Sequence, residues 1–162
     1  MPASPPKRKA SRPEKTVAES ASEMVQVVLP NDTNPLGNVL GGRMMHWIDL
    51  VGAIVAYRHC RRPVVTASMD RLDFHHPIRV GEIVILKAFL IYVGRTSMEV
   101  MVDAYAEGLQ SAMKKTSTAR LTYVAIDAHG LPTGVPGLRL RTKDERRRFR
   151  EASSRRKAEG RM

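Results

Sequence analysis

Asn34, the pair Gly41-Gly42 and Asp49 are the residues of this chain whose types and spacing could do chemistry. Asp49 lies among Ile48, Val51 and Gly52 in an apolar stretch with helical spacing, and burying an unpaired carboxylate there would cost several kcal/mol. It therefore needs a compensating partner or a function. One reading satisfies it with a nearby hydroxyl or with Arg58; the other makes it a general base or a nucleophile tuned by its surroundings. Gly41 and Gly42 immediately precede the helix, where unpaired N–H groups and the positive end of the helix dipole converge. They serve either as a flexible loop-to-helix turn or as donors to a carbonyl oxygen that gains negative charge in acyl transfer. Asn34 offers an amide able to orient a water or a carbonyl, although Asn before Pro also suits an ordinary turn.

These residues need elements to hold them. Met24–Leu29 reads as a strand that ends at Pro30, and the turn-rich NDTNPLGN follows. From Arg43 to about His59 apolar residues wrap most of the circumference, which predicts one buried helix. Val64–Phe74, Ile83–Val93, Met98–Ala106 and Thr116–Ile126 alternate as strands, separated by Pro77, Gly81, Gly94-Arg95 and Gly108. A strand, a long helix and then an antiparallel run predict an α+β fold in which the sheet wraps one long central helix.

Length and composition narrow the class. A chain of 162 residues with 43% hydrophobic content suits one domain, here 24–140, that completes itself by oligomerising. Most of the net charge of +11 sits outside that domain. The basic tail 1–23 reads as disordered, and the basic tail 141–162 as a charged helix or disorder. With few aromatic residues and a mildly basic core, no specific nucleic-acid partner is expected. No apolar run spans a membrane and none resembles a secretory signal, so a cytoplasmic protein is expected. Cys60 is the only cysteine and reads as structural. The histidines show no metal spacing, and neither metal nor cofactor is expected. His46, three residues before Asp49, could pair with it as in a hydratase.

The blocks NPLGNVLGGRMMHWID, VVTASMDRLDFHHPIRVGEIV and VGRTSMEVMVDAY occur in an order that resembles the hotdog-fold acyl-CoA thioesterases of the broad-specificity acyl-CoA hydrolase group, over about Met24 to Asp127. Departures are small: Leu40 stands where an aromatic residue is frequent, and His75-His76 precede Pro77. The resemblance implies hydrolysis of acyl-CoA to free fatty acid and coenzyme A at sites between two subunits, in homodimers that often form hexamers. It implies that Asn34 and Asp49 are catalytic and come from opposite subunits, with Gly41 and the Gly42 amide beside the thioester carbonyl. It also implies that Gly94-Arg95-Thr96-Ser97 borders the coenzyme A groove, with Arg95 the candidate for the phosphates. A non-catalytic acyl-CoA binding protein and a hotdog hydratase are the alternatives. The long basic tail receives no role.

Overall fold

The computed structural model describes residues 11–161. The elements are β1 (Glu14–Thr16), α1 (Val17–Ser20), β2 (Ser22–Val27), a 3-10 turn (Pro30–Asp32), α2 (Gly41–Cys60), β3 (Val64–Phe74), β4 (Ile83–Val93), β5 (Ser97–Gly108), β6 (Ser111–Ala125), β7 (Gly137–Arg139) and α3 (Lys143–Ala158). Five antiparallel strands form one sheet in the order β2-β4-β5-β6-β3. Its inner face holds α2, as expected for the α+β hotdog arrangement.

Alternation explains the sheet's inner face. Val84, Leu86 and Ala88 of β4, Val100, Val102, Ala104 and Ala106 of β5, and Ala119, Leu121, Tyr123 and Ala125 of β6 are buried at every second position. The many alanines among them leave room for a helix to lie close to the backbone. Register shifts in the β3–β6, β4–β5 and β5–β6 pairings mark bulges that bend the strands around it. Against this face α2 buries Met44, Trp47, Ile48, Val51, Val55 and Ala56. Its other side corrects the expectation of an all-round buried helix, because Leu50, Ile54 and Tyr57 stay 39–51% exposed in the single chain. α2 ends where Arg61 adopts a left-handed φ of 54° and Pro63 follows.

Disorder across 1–23 is corrected for its described part, while residues 1–10 lie outside the described residues. β1 pairs in parallel with β7, and the Glu19 carboxylate accepts the Thr16 N–H at 2.6 Å, capping α1. Thr16, Val17 and Ser20 are buried, so the segment has more to pack than its Pro-Lys-rich start suggests. The C-terminal tail is helical: Thr142 Oγ1 accepts the Glu145 N–H at 3.1 Å and starts α3. This helix docks on the outer face of the sheet through Phe149, 5.0 Å from the Tyr92 ring, and the buried Ala152.

His59, fully buried near the end of α2, donates from Nε2 to the Pro136 carbonyl at 2.8 Å. Its Nδ1 has no partner among the described residues. Burial depresses its pKa below the usual 6.5, so the folded chain resists a proton that the unfolded chain accepts. That contribution to stability is complete above pH 6.5 and is lost as the pH falls, by up to about 1.4 kcal/mol per pH unit. Urea denaturation between pH 7.5 and 5 is expected to show a steeper loss for the wild type than for His59→Gln; parallel curves would contradict this.

Candidate active site

The loop before α2 is a small hairpin built on Asn34. Asn34 N–H donates to the Asn38 carbonyl at 2.8 Å, Gly37 N–H donates to the Asn34 carbonyl at 2.9 Å, and Gly37 takes the positive φ of 78° that the turn demands. The Asn34 Oδ1 accepts the N–H groups of Leu36 at 3.0 Å and Asn38 at 3.1 Å. Two N–H donors on one side-chain atom identify it as the oxygen and fix the amide orientation. Only the NH₂ end remains available, so Asn34 can donate to a ligand but cannot take a proton. Asp32 accepts the Leu29 N–H at 2.9 Å and pairs with Arg43 at 3.0 Å, tying this hairpin to the first turn of α2.

Gly41 and Gly42 are the first two residues of α2, behind the N-cap Leu40, which offers no side-chain acceptor. Their N–H groups therefore have no acceptor among the described residues. A Cβ on Gly42 would meet nothing within 4 Å, and one on Gly41 only the Phe74 ring edge at 3.9 Å. A cavity of about 290 Å³ opens here between Gly41, Met44, Phe74, His76 and Ile78.

Asp49 is half-buried two turns further along. Thr66 donates its hydroxyl to Asp49 Oδ1 at 2.7 Å, and the Tyr123 hydroxyl is shared between the same Oδ1 at 3.1 Å and the Asp49 carbonyl at 2.9 Å. Both donors fall on Oδ1, which leaves Oδ2 open among the described residues. Hydroxyls are thus the partners, and not Arg58, whose guanidinium donates to Ala21 and Ser22. Burial, reinforced by the Asp49 carboxylate, raises the Tyr123 pKa, so its phenol is a fixed donor and no base. His46 is exposed and makes no bond to Asp49, so the hydratase-like pair does not form.

Thr66, Tyr123 and Gly52 escaped the reading of the sequence. Thr66 and Tyr123 are cross-strand partners in the β3–β6 ladder, which places both side chains on one face beneath Asp49. Gly52 is what admits the phenol: a Cβ there would lie 2.3 Å from the Tyr123 oxygen. The signal was a glycine inside a helix, where it costs about 1 kcal/mol relative to alanine.

The other predicted residues gather at the far end of α2. Arg95 lines a groove of about 480 Å³ with Arg12, Cys60, Arg62 and Gly134–Pro136. Thr96 is half-buried, its carbonyl accepting the Ala125 N–H at 3.1 Å. The Ser97 hydroxyl accepts Arg156 of α3 at 3.0 Å, and Ser97 is not among the residues that line this groove. Cys60 is buried, and burial raises its thiol pKa, as befits a structural residue. Among the described residues no cluster of three metal-binding side chains occurs, and no helix is long and apolar enough to cross a membrane.

The spacing along α2 constrains how these groups combine. At 1.5 Å per residue the Gly42 amide and Asp49 are about 10 Å apart along the axis, so no single atom touches both.

The family model for the thioesterase superfamily matches residues 36–112. An acyl-CoA thioester hydrolase of Bacillus subtilis is 42% identical over 73% of this chain and 69% of its own length. The cytosolic acyl coenzyme A thioester hydrolase of Rattus norvegicus is 36% identical over 86% of this chain, which spans only 38% of that protein. Among solved structures, an acyl-CoA hydrolase from Staphylococcus aureus in complex with butyryl coenzyme A is 36% identical, covers 91% of this chain and 92% of its own, and superposes with a TM-score of 0.83. The same enzyme has been solved as alanine variants of an asparagine, an aspartate and a threonine. A hexameric acyl-CoA thioesterase superposes with a TM-score of 0.86 at 36% identity, over 90% of this chain and 94% of its own. The chain belongs to the hotdog-fold acyl-CoA thioesterases.

The Tyr123 contact is testable on its own. Gly52→Ala is expected to force the phenol away from α2 and to cost about 1–3 kcal/mol in chemical denaturation. In the double variant Gly52→Ala/Tyr123→Phe part of that extra loss should disappear, since the oxygen at 2.3 Å is gone while ring carbons stay 3.0–3.1 Å from the new Cβ; an undiminished loss would show that the oxygen's close approach is not the cause.

Proposed function

We propose that this chain hydrolyses acyl-CoA to a free acid and coenzyme A, at sites completed by two copies, with Asp49 from one and Asn34 and the Gly42 N–H from the other. The observation that carries this reading is the Asp49 carboxylate, fixed at Oδ1 by the Thr66 and Tyr123 hydroxyls with Oδ2 left open, on the same helix whose first turn presents the Gly42 N–H. The exposed stripe Leu50, Ile54 and Tyr57, together with the free edge of β3 with Val65 and Phe74 exposed, supplies apolar surface for a second copy. The three residues replaced in the Staphylococcus aureus hydrolase stand at the same mutual spacings as Asn34, Asp49 and Thr66 here, which supports both the pair and the supporting threonine. A hexamer, as in one relative, is the assembly we infer.

Chemically, Asp49 Oδ2 takes a proton from a water whose oxygen attacks the thioester carbon. The carbonyl oxygen becomes an oxyanion held by the Asn34 NH₂ and the Gly42 N–H. Collapse breaks the carbon–sulfur bond, and the departing thiolate recovers the proton from Asp49. Thr66 and Tyr123 hold Oδ1 so that Oδ2 faces the water. The basic groove of Arg62 and Arg95 lies about 16 Å from Asp49 along α2, a span that an extended phosphopantetheine arm covers. Residence in the cytoplasm and turnover without a resident cofactor belong to the same reading.

Subunit mixing tests the arrangement. Asn34→Ala and Asp49→Ala are each expected to abolish release of free thiol from acyl-CoA while remaining oligomeric. Unfolded together and refolded, they should recover roughly a quarter of wild-type activity, since half of the random dimers are hybrids and each hybrid has one intact site. No recovery would place both residues in one subunit's site, near-normal turnover by Asp49→Ala would refute Asp49 as the base, and no thiol release by the wild type would leave only a binding protein. In oxygen-18 water a single turnover should label the acid product and not the Asp49 carboxylate; label in Asp49 would instead mean direct attack through an anhydride.

A further inference from the structure

The two basic terminal segments converge on one turn. Before β1, Arg12 donates from Nη2 to the Gly94 carbonyl at 2.6 Å and from Nε to the Val135 carbonyl at 2.6 Å. From α3, Arg156 donates to Ser97 Oγ at 3.0 Å and pairs with Glu99 at 3.5 Å. Its guanidinium is buried and lies 4.7 Å from the centre of the Tyr92 ring. Between these two anchors the Arg95 carbonyl accepts the Val135 N–H at 3.1 Å and the Thr96 carbonyl accepts the Ala125 N–H at 3.1 Å. Every residue of Gly94-Arg95-Thr96-Ser97 is thus fastened, and the exposed Arg95 side chain is left over the groove. Both anchoring segments fall outside the stretch that the family model matches.

We propose that Arg12 and Arg156 are positioning residues for coenzyme A: they clamp the Gly94–Ser97 turn at its two ends so that Arg95 is held ready for a phosphate group. This rests on the acyl-CoA reading of the preceding section, with Arg95 as a phosphate contact. An arginine on a free turn would lose rotational and backbone freedom on gripping phosphate, and a turn fastened in advance has already lost it. The chemistry requires arginine and not merely a positive charge. Arg12 bridges two carbonyls with a planar fork, and Arg156 reaches a hydroxyl and a carboxylate with the same guanidinium; an ammonium on a flexible stem reproduces neither geometry.

Arg12→Lys and Arg156→Lys keep the charge and remove the fork. Each is expected to raise the KM for acyl-CoA roughly fivefold with kcat unchanged, and to have no further effect in an Arg95→Ala background, where nothing remains to be positioned. Arg156 is buried beside Glu99, so its variant could fail to fold; Arg12→Lys touches only two carbonyls near the surface and carries the test alone. If the lysine variants raise KM by the same factor with and without Arg95, or leave KM unchanged, the clamp is refuted. If Arg95→Ala leaves KM at the wild-type value in an enzyme that still releases thiol, the phosphate contact itself falls and the clamp with it.

Discussion

The contact on which the rest of this structure depends is the Tyr123 hydroxyl against the third turn of α2. It touches the Asp49 carbonyl and carboxylate together, in a gap that exists because residue 52 has no side chain. A phenol buried this deeply needs a hydrogen-bond partner, and the helix backbone supplies one only if helix and sheet approach closely. The inward alanines of β4, β5 and β6 permit that approach, and the bulged strands bend to follow it. One contact therefore fixes the depth of the helix in the sheet and the direction of the carboxylate. Thr66, opposite Tyr123 in the ladder, completes the set from the edge strand.

That geometry explains why a single chain looks unfinished. The donors at the start of α2 and the carboxylate in its middle lie on one rigid rod, about 10 Å apart along its axis, so no side-chain motion brings them into direct contact. The same rod carries an exposed apolar stripe, and the sheet ends at β3 with a free edge beside it. An edge of this kind is a liability unless it is covered. In the proposed pairing of two copies, the open edge and the bare stripe would be covered together.

Much of this was legible in the sequence, and the boundary of what was legible is physical. Asn34, Gly41-Gly42 and Asp49 lie within a short stretch, where turn chemistry and helix polarity act locally and spacing alone reveals them. Thr66 and Tyr123 became site residues through strand register, which one sequence does not fix. Tyr123 did stand out as a polar-tipped ring in an inward row otherwise made of alanine and leucine. The N-terminal tail was misjudged, and the C-terminal one left open between helix and disorder, for a different reason. Composition weighs Lys, Arg and Pro as disorder-promoting, yet a few residues at the right places, Val17 in α1 and Phe149 and Ala152 in α3, suffice to dock each segment. Ser97 was assigned to the groove by its neighbours in sequence, although alternation along β5 turns it toward α3.

The docking of α3 also accounts for a charge that no pattern would place in a sheet. Glu99 is 1% exposed, and Arg155, Arg156 and Arg120 surround it. A carboxylate so buried would be strongly unfavourable alone, and its desolvation is offset only when several guanidinium groups arrive together. Two of the three come from α3, so the helix cannot leave without stranding the charge. This makes an unusually polar helix a fixed part of the fold despite its small apolar contact, and it explains why much of the chain's excess of arginine is structural. The chain's cations thus do different work: some are held by a buried carboxylate or by backbone carbonyls, and Arg62 and Arg95 stand beside the groove, where a polyphosphate ligand would meet them.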